Sequence, residues 1–333
     1  MPVPKIGPGD ALMKTKASGI CSGDVMPWYI EKKAPLVFGH EPAGEIVEVG
    51  NNVKTFRPGD RIFTHHHAPC LICRYCRRGD HVQCETWKKT KIIPGGISEY
   101  ILIPEINLKN DTLKLPENIS FEDGTLIEPL ACVLKGFKRA GLRGIGEGDL
   151  SLSNRTVLVI GLGVMGQMNI LLAKRFGASR IIGADMVQYR LQKAKEFGAD
   201  DLIDVSKESL VSSLKELTDG EMADLVIVGP NSVEVMQDGL SAAGLGGTVL
   251  FFTPAKPGEK LIIDPNDLYF RDVNIVTSYS CGPPETREAL RFIEEGVVSA
   301  EKLVTHRFPV EKSSEAFRLV AEAKNSLKVL IMF

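Results

Sequence analysis

The strongest structural signal in this chain is the sequence TVLVIGLGVMG at residues 156–166. It begins with aliphatic and β-branched residues, which is typical of a strand buried in a parallel sheet. It continues as GxGxxG, a pattern that is informative only when it follows a strand and begins a helix. Residues 165–176 have the composition of such a helix. We therefore predict a nucleotide-binding βα turn here.

The glycines of this turn have distinct tasks. Gly161 permits the tight turn, Gly163 lets a pyrophosphate approach the backbone, and Gly166 lets helix and strand pack closely. The free N–H groups at the start of the helix, at Val164 and Met165, then hold the phosphates. The alternative is that these glycines only form a closely packed turn without a ligand.

The residue that follows the next strand candidate, residues 180–184, bears on the choice of dinucleotide. Asp185 lies there, and a carboxylate at this place accepts from the ribose hydroxyls and repels a 2′-phosphate. Arg190 argues the other way, because an arginine nearby can hold a 2′-phosphate. We predict NAD, with NADP as the less favoured alternative.

Strands continue to alternate with helices after the glycine turn. A helix is predicted at residues 189–197, and further strands are predicted at residues 202–205, 225–228 and 247–252. This alternation indicates βαβ units and a doubly wound parallel sheet, an α/β fold. The last 50 or so residues contain two helix candidates, 285–295 and 313–323, and a closing strand, 329–332. They are candidates to fold back onto the first part of the chain.

Residues 1–130 have a different character. Proline and glycine are frequent, and short β-branched runs such as residues 44–49 and 99–103 lie between turn pairs. This pattern predicts an irregular unit of short β-strands.

Composition excludes several classes of protein. The 333 residues favour two domains, and 44% hydrophobic residues can fill a sizeable core. A formal charge of −2 argues against a protein that holds nucleic acid by bulk positive charge. No apolar run approaches the roughly 18 residues of a membrane span, and the start of the chain has no secretory signal. We therefore expect a cytoplasmic protein whose seven cysteines favour metal ligation over disulfides.

Four of these cysteines lie close together, in a lobe at about residues 65–91. Their spacing is C-x2-C-x2-C-x7-C, and it suits tetrahedral coordination of a structural zinc ion. An iron–sulfur cluster and unligated thiols are the alternatives. Because all four positions are filled by protein, the metal would stabilise a loop and perform no chemistry. The four ligands are Cys70, Cys73, Cys76 and Cys84.

The same lobe is rich in basic residues and follows three consecutive histidines. We interpret the basic residues as a solvated surface; docking of a nucleic acid or a phosphorylated substrate is the alternative. Adjacent residues of an extended chain alternate in direction, so His65, His66 and His67 cannot all converge on one ion. We take them as loop residues, with at most one lining a cleft.

A second, mixed set of potential ligands is dispersed along the first part of the chain. Cys21, His40, Glu41 and Glu128 combine sulfur, nitrogen and oxygen donors, which is typical of a catalytic zinc that keeps one position open. Each residue alone is ambiguous, since a lone buried cysteine is usually a small apolar side chain. Their appearance together with a dinucleotide motif makes a catalytic metal the better interpretation.

These motifs resemble those of the zinc-containing medium-chain alcohol/polyol dehydrogenases. The GHE triplet at residues 39–41, the four-cysteine spacing, GGxxEY at residues 95–100 and the late GxGxxG occur in the family's order. The resemblance covers essentially the whole chain. It implies a GroES-like catalytic domain at 1–130, a Rossmann domain at 131–280, and a return segment at 281–333 that packs on the catalytic domain.

The resemblance also implies roles for the residues of the mixed set. The catalytic zinc positions fall on Cys21, His40 and Glu41, and Asp24 matches a carboxylate that orients the zinc histidine. Alcohol dehydrogenases have a further cysteine ligand where this chain has Glu128, as in sorbitol and threonine dehydrogenases. Whether Glu41 or Glu128 is the direct third ligand stays open at this point.

One departure from the family pattern affects the expected chemistry. Many members carry a hydroxyl residue two positions after the zinc cysteine to relay a proton, and this chain has Gly23 there. Ser22, Glu41, Glu128 or a water must then substitute. Two further cysteines, Cys132 and Cys281, have no ligand role in the family pattern, and we take them as core or loop thiols.

We accordingly expect a zinc enzyme that oxidises a secondary alcohol, a polyol or sugar alcohol, and passes a hydride to NAD. One zinc would be catalytic and one structural. An enzyme of the L-threonine 3-dehydrogenase type is the alternative, and an NAD-sensing nucleic-acid-binding protein is a distant one. We expect small-molecule substrates, no nucleic-acid or membrane partner, and a homo-oligomer, either a dimer or a tetramer.

Overall fold

The computed structural model of this chain describes residues 1–141 and 151–333. They form two compact units. Unit 1 comprises Met1–Ala131 and Ser280–Phe333, and unit 2 comprises Cys132–Tyr279.

The strands of unit 1 are three to nine residues long, and those of unit 2 are four to nine residues long. In chain order they are β1 Ala11–Gly19, β2 Glu41–Val49, β3 Arg61–Thr64, β4 Tyr100–Ile103, β5 Thr112–Lys114, β6 Thr156–Ile160, β7 Arg180–Asp185, β8 Asp201–Asp204, β9 Ala223–Val228, β10 Ala243–Phe251, β11 Asn274–Thr277, β12 Val304–Pro309 and β13 Lys328–Met332.

The helices are mostly one to four turns long. In chain order they are α1 Pro27–Ile30, α2 Arg74–Arg77, α3 Glu85–Lys89, α4 Glu105–Asn110, α5 Phe121–Gly124, α6 Ile127–Arg139, α7 Val164–Arg175, α8 Gln188–Phe197, α9 Leu210–Leu217, α10 Val233–Ser241, α11 Pro265–Arg271, α12 Pro283–Glu294, α13 Ala300–Leu303 and α14 Ser313–Glu322. Within the described residues, none of these helices has the length and apolar character needed to cross a membrane.

Unit 1 is built on a seven-stranded sheet. The strand order is β12-β13-β1-β2-β3-β5, and β4 pairs with the free part of β1. The C-terminal strand β13 runs antiparallel to β1, with Ala17 opposite Met332. The end of the chain is therefore part of the same sheet as its beginning. Side chains that are fully buried fill the interior, among them Met13, Ile46, Ile62, Ile101 and Ile103.

Unit 2 is built on a six-stranded parallel sheet with the order β11-β10-β9-β6-β7-β8. Strand β6, which carries the glycine turn, pairs with β7 on one side and β9 on the other. The chain order reverses between β6 and β9, and in such sheets ligands bind beyond the carboxyl ends of the strands at this point. The predicted fold class, a β-rich first part plus a doubly wound parallel sheet, matches the two sheets observed.

One junction of the unit 1 sheet brings distant residues together. Gly19 ends β1 and lies opposite Glu41 in β2 and Leu330 in β13. A Cβ atom at Gly19 would overlap the carboxylate of Glu41 and approach the side chain of Lys328. The missing side chain is therefore what lets these two charged groups meet, directly beside Cys21, which follows β1.

Candidate active site and metal centres

Three potential metal ligands meet beyond the end of β1. The thiol of Cys21, a ring nitrogen of His40 and a carboxylate oxygen of Glu41 lie within 4.8 Å of one another. Cys21 caps a short 3-10 turn, Ser22–Val25, because its Sγ accepts a hydrogen bond from the N–H of Gly23 at 3.4 Å. This local structure fixes the direction of the thiol.

A buried carboxylate lies behind the histidine. Asp24 Oδ1 is 3.5 Å from Nδ1 of His40, and its other oxygen accepts from the N–H of Cys21 at 3.3 Å. Burial lowers the pKa of His40, but Asp24 raises it more, and together with Cys21 it holds this pKa well above the usual value. Asp24 keeps the hydrogen of the ring on Nδ1, so Nε2 is the nitrogen available to a metal.

Glu41 forms a buried ion pair with Lys328, and each side chain is only 1% exposed. Lys328 also donates to the carbonyl oxygen of Ile20 at 3.2 Å. Burial raises the pKa of Glu41, whereas the charges of Lys328 and His40 lower it. The net result is a pKa above the usual value. Lys328 contacts Oε2 of Glu41, and Oε1 has no hydrogen-bond partner among the described residues. A buried oxygen in this position beside a thiol and an imidazole suits a zinc ion.

Glu128 is not among the donors that meet at Cys21, although its charge raises the pKa of Glu41. Glu128 lies in the first turn of α6, and its carboxylate falls with His65 and Cys281 in another group of donor atoms within 4.8 Å of one another. Glu41, rather than Glu128, thus lies with Cys21 and His40. Cys281, which we expected to be a core or loop thiol, is fully buried and belongs to this second group.

Ser22 and Gly23 are the other residues of this region that the sequence analysis named. Ser22 is exposed on the 3-10 turn, so its hydroxyl faces solvent. A Cβ atom at Gly23 would lie 3.6 Å from Cys21 Sγ and 3.9 Å from Cε1 of Tyr29, both ordinary contact distances. There is therefore room for a side chain at Gly23, next to the thiol of Cys21. Tyr29 packs edge-on against Trp28, with ring centroids 5.8 Å apart.

The three consecutive histidines follow β3 in a loop, as expected, but they contact one another and the site. The ring of His66 lies 5.0 Å from that of His40 and 4.7 Å from that of His65. Burial and the charges of His65 and His67 hold the pKa of His66 well below its usual value, so it is a neutral imidazole. Sequence spacing gave no sign of this placement, because it depends on the pairing of β2 with β3.

The four cysteines of the lobe are arranged for one tetrahedral ion. Cys73 Sγ and Cys76 Sγ are 3.5 Å apart, and Cys70 Sγ and Cys84 Sγ are 3.6 Å apart. A zinc ion with Zn–S bonds of about 2.3 Å separates its sulfurs by similar distances. Burial opposes ionisation of Cys84, but N–H donors including that of Cys70 lower its pKa to about 6. The residues therefore fit a structural zinc ion.

The glycine turn after β6 has the backbone that a dinucleotide needs. Gly161 adopts φ of +86°, in the region that favours glycine. A Cβ atom at Gly166 would overlap the carbonyl oxygen of Gly161, so helix α7 packs against the turn only because this side chain is missing. Gly163 precedes the helix without a side-chain cap, which leaves the first N–H groups of α7, at Val164 and Met165, to a ligand.

Asp185 and Arg190 both lie at this turn. Asp185 Oδ2 accepts from the N–H of Leu162 at 2.7 Å, and Oδ1 accepts from the N–H of Val187 at 2.9 Å. Arg190 Nη1 is 3.7 Å from Asp185, and its guanidinium lies 3.9 Å from the Cβ position of Gly163. Arg190 Nε is buried and has no hydrogen-bond partner among the described residues. These groups fit the ribose and phosphates of a dinucleotide.

Comparison with known proteins agrees with the family that the sequence motifs resemble. The model of the alcohol dehydrogenase GroES-like domain matches residues 7–117, and that of zinc-binding dehydrogenases matches residues 164–295. L-threonine 3-dehydrogenase from Bacillus licheniformis is 32% identical over 99% of this chain and 94% of its own length. Sorbitol dehydrogenase from Mus musculus is 33% identical over 99% of this chain and 90% of its own length.

A solved structure extends the comparison to three dimensions. A zinc-binding dehydrogenase from Sinorhizobium meliloti 1021, bound to NADP, has a TM-score of 0.87 and 26% sequence identity. The match covers 100% of this chain and 94% of the other. Zinc and a nicotinamide dinucleotide are therefore supported at the level of the family.

The buried pair of Glu41 and Lys328 leads to a prediction about stability. In metal-free protein, Lys328→Met should lower the free energy of unfolding by about 3–5 kcal/mol at pH 8, because it leaves a buried carboxylate without its counter-charge. The pKa of Glu41 is already raised, and loss of Lys328 raises it further. Such a group destabilises the fold only while it is ionised, so the deficit should shrink as the pH falls below this pKa.

Urea unfolding of the wild type and the variant at pH 8 and pH 5 measures this difference. Lys328→Arg is the matched control, since it keeps the charge. An equal deficit at both pH values would show that Lys328 acts through packing alone.

Proposed function

The chain belongs to the zinc-containing medium-chain alcohol/polyol dehydrogenases and is an oxidoreductase, and we propose that it oxidises a secondary alcohol of a polyol to a ketone with NAD. The observation that carries this proposal is the group of Cys21, His40 and Glu41, with Asp24 behind the histidine. Thiolate ligands need a reducing compartment, so we place the reaction in the cytoplasm.

The first part of the proposal concerns the metal. Cys21 Sγ, His40 Nε2 and Glu41 would hold a zinc ion and leave one position for the substrate. When bound, the ion supplies Lewis-acid chemistry that lowers the pKa of an alcohol hydroxyl. The anionic side chains of Cys21 and Glu41 would balance the charge of the ion. Lys328 is the buried ion-pair partner of Glu41.

The chain's own residues orient and protect this centre. Asp24 fixes the ring of His40, and His66 packs a neutral imidazole against it. Gly23 offers no hydroxyl for proton transfer, and Ser22 faces solvent. We assign the role to a water molecule in the space beside Gly23, where the nearest groups are Cys21 and Tyr29.

The second part of the proposal concerns the dinucleotide. The N–H groups at the start of α7 would hold its pyrophosphate, and Arg190 would supply positive charge beside it. The bound nicotinamide supplies hydride chemistry. Both oxygens of Asp185 already accept backbone hydrogen bonds, and each keeps a lone pair with which to accept from a ribose hydroxyl. A carboxylate there disfavours a 2′-phosphate, so we propose NAD over NADP.

An amino alcohol is a second candidate substrate. The threonine dehydrogenase and sorbitol dehydrogenase relatives are nearly equal in identity, at 32% and 33%. We prefer a polyol because the catalytic set contains a carboxylate oxygen donor.

A substrate panel tests the reaction. With a panel of polyols, simple secondary alcohols and L-threonine, the purified protein should reduce NAD fastest with a polyol, and Cys21→Ser and His40→Ala should lose this activity. Cys132→Ser is the matched control, since Cys132 is outside every group of potential ligands among the described residues. Unchanged turnover in Cys21→Ser would exclude the zinc mechanism. A clear preference for L-threonine would favour the second candidate.

A second experiment tests the choice of dinucleotide. Asp185→Asn should raise the ratio of kcat/KM for NADP to that for NAD by about 10- to 100-fold, since a charge-assisted hydrogen bond to the ribose is lost and a 2′-phosphate is no longer repelled. Initial rates with both dinucleotides give this ratio. Arg190→Gln is the comparison variant, and a wild type that prefers NADP would contradict the assignment.

We also propose that the protein is a homo-oligomer. Strand β11 is at the edge of the unit 2 sheet and, among the described residues, pairs with β10 alone. Its Ile275 is 37% exposed, and nearby α11 exposes Tyr269 at 78% and Phe270 at 75%. A free strand edge next to exposed aromatic side chains is suited to pairing with the same strand of a second copy.

Ile275→Arg should shift the protein toward monomers, because it places like charges opposite each other across a two-fold axis. Sedimentation velocity of the wild type and the variant measures the change. The exposed Leu245→Arg is the control for a general effect of added charge. A wild type that is monomeric at micromolar concentration would contradict the proposal.

A further inference from the structure

We propose that the substrate polyol carries an anionic group, either a phosphate ester or a carboxylate, and that Lys33 is the residue that selects for it. Lys33 is exposed at the end of a 3-10 turn, Glu31–Lys33, which follows α1 in the connection between β1 and β2. This inference rests on the proposed function and deepens it, because Lys33 lies near a substrate only if the reaction takes place at Cys21.

The local structure places Lys33 against an aromatic ring. Ile30 and Glu31 keep right-handed helical backbone angles where α1 continues into the 3-10 turn. Tyr29 and Lys33 are four residues apart, so they lie on the same side of this helical stretch. Lys33 Nζ lies over the ring of Tyr29, 3.6 Å from its centroid. The attraction between the ammonium group and the ring restrains a side chain that would otherwise move freely in solvent.

The ring of Tyr29 lies in turn beside the thiol that would hold the metal. Its Cε1 is 3.9 Å from the Cβ position of Gly23, and that position is 3.6 Å from Cys21 Sγ. One aromatic ring and the space at Gly23 thus separate Lys33 from Cys21. The ammonium group is therefore placed to meet a substituent of the substrate, and not the reacting carbon itself.

Lys33 also acts electrostatically on a histidine of the site. Burial lowers the pKa of His66, and the positive charge of Lys33 acts in the same direction as those of the neighbouring histidines. The ring of His66 lies 5.0 Å from that of His40, and its buried Nδ1 has no hydrogen-bond partner among the described residues. A buried polar atom of this kind is usually satisfied by water or a ligand. A positive charge and an unused hydrogen-bonding atom therefore both lie near the proposed metal ligands.

The charge of Lys33 is available to a ligand. The other basic groups of the site already face carboxylates. Lys328 pairs with the buried Glu41. His40 faces Asp24. Within the part of the chain that the structure describes, Lys33 forms no ion pair. A phosphate or carboxylate would give it a charge-assisted hydrogen bond, about twice as strong as the bond that a neutral hydroxyl offers. The distribution of charge therefore favours an anionic polyol over a neutral one.

Steady-state kinetics with three substrates of one carbon skeleton tests this inference. They are D-sorbitol, D-gluconate and D-sorbitol 6-phosphate. In the wild type, kcat/KM should be about 10-fold higher for an anionic compound than for D-sorbitol. Lys33→Gln should lower this ratio by about 10-fold, mainly through KM, because the charge binds the substrate without taking part in the chemical step. Lys33→Arg should retain the ratio. Lys32→Gln is the matched control, since it removes an equal charge from the neighbouring residue.

The anionic compound with the larger gain identifies the group as phosphate or carboxylate. The inference would be overturned by a wild type that prefers D-sorbitol, by an unchanged ratio in Lys33→Gln, or by an equal fall in both glutamine variants.

No turnover with any of the three compounds would count against the proposed function. Isothermal titration calorimetry of D-gluconate and D-sorbitol 6-phosphate then decides the present inference separately. Weaker binding to Lys33→Gln than to Lys32→Gln supports it, and equal binding or none overturns it.

Discussion

Buried carboxylates in unit 1 need positive charge, and this constraint shapes the region around the candidate site. Glu41 meets Lys328, Asp24 meets His40, and Asp111 meets His65, and in each pair the carboxylate is nearly or fully buried. Removal of one partner from such a pair destabilises a protein far more than the intact pair stabilises it. The sheet must therefore bring β1, β2 and β13 to one place, which explains why Gly19 has no side chain where these strands meet.

The same constraint connects structure with chemistry. A site with more buried carboxylates than basic side chains binds a cation readily, and a cation bound to a thiolate and an imidazole keeps an open position for an alcohol oxygen. Lys328 limits how far burial raises the pKa of Glu41, because without this counter-charge the carboxylate would take up a proton at a higher pH. Stability and metal affinity thus depend on the same few residues, so a change at Lys328 affects both.

Much of the fold was predictable because local signals were strong. The strand, glycine turn and helix at residues 156–176 appear as β6 and α7, with the helix beginning at Val164 instead of Met165. Helices α9 to α11 were not predicted, although the apolar residues of α9 and α10 follow a clear helical period. The family was recognisable from motif order, and the comparisons confirm it. The roles of Glu41, Asp24 and Asp185 stay predictions that the geometry supports.

The placement of His65 and Cys281 was not predictable from the sequence. They are separated by most of the chain, and the alternation of adjacent histidines argued against a shared ion. Alternation holds, since His65 turns toward Asp111 and Cys281 while His66 packs on His40. Alternation correctly excluded one shared ion, but it did not predict which groups the three rings would contact. Consecutive side chains that point in different directions can each contact a different group, so His65 and His66 contribute to two neighbouring clusters instead of forming one.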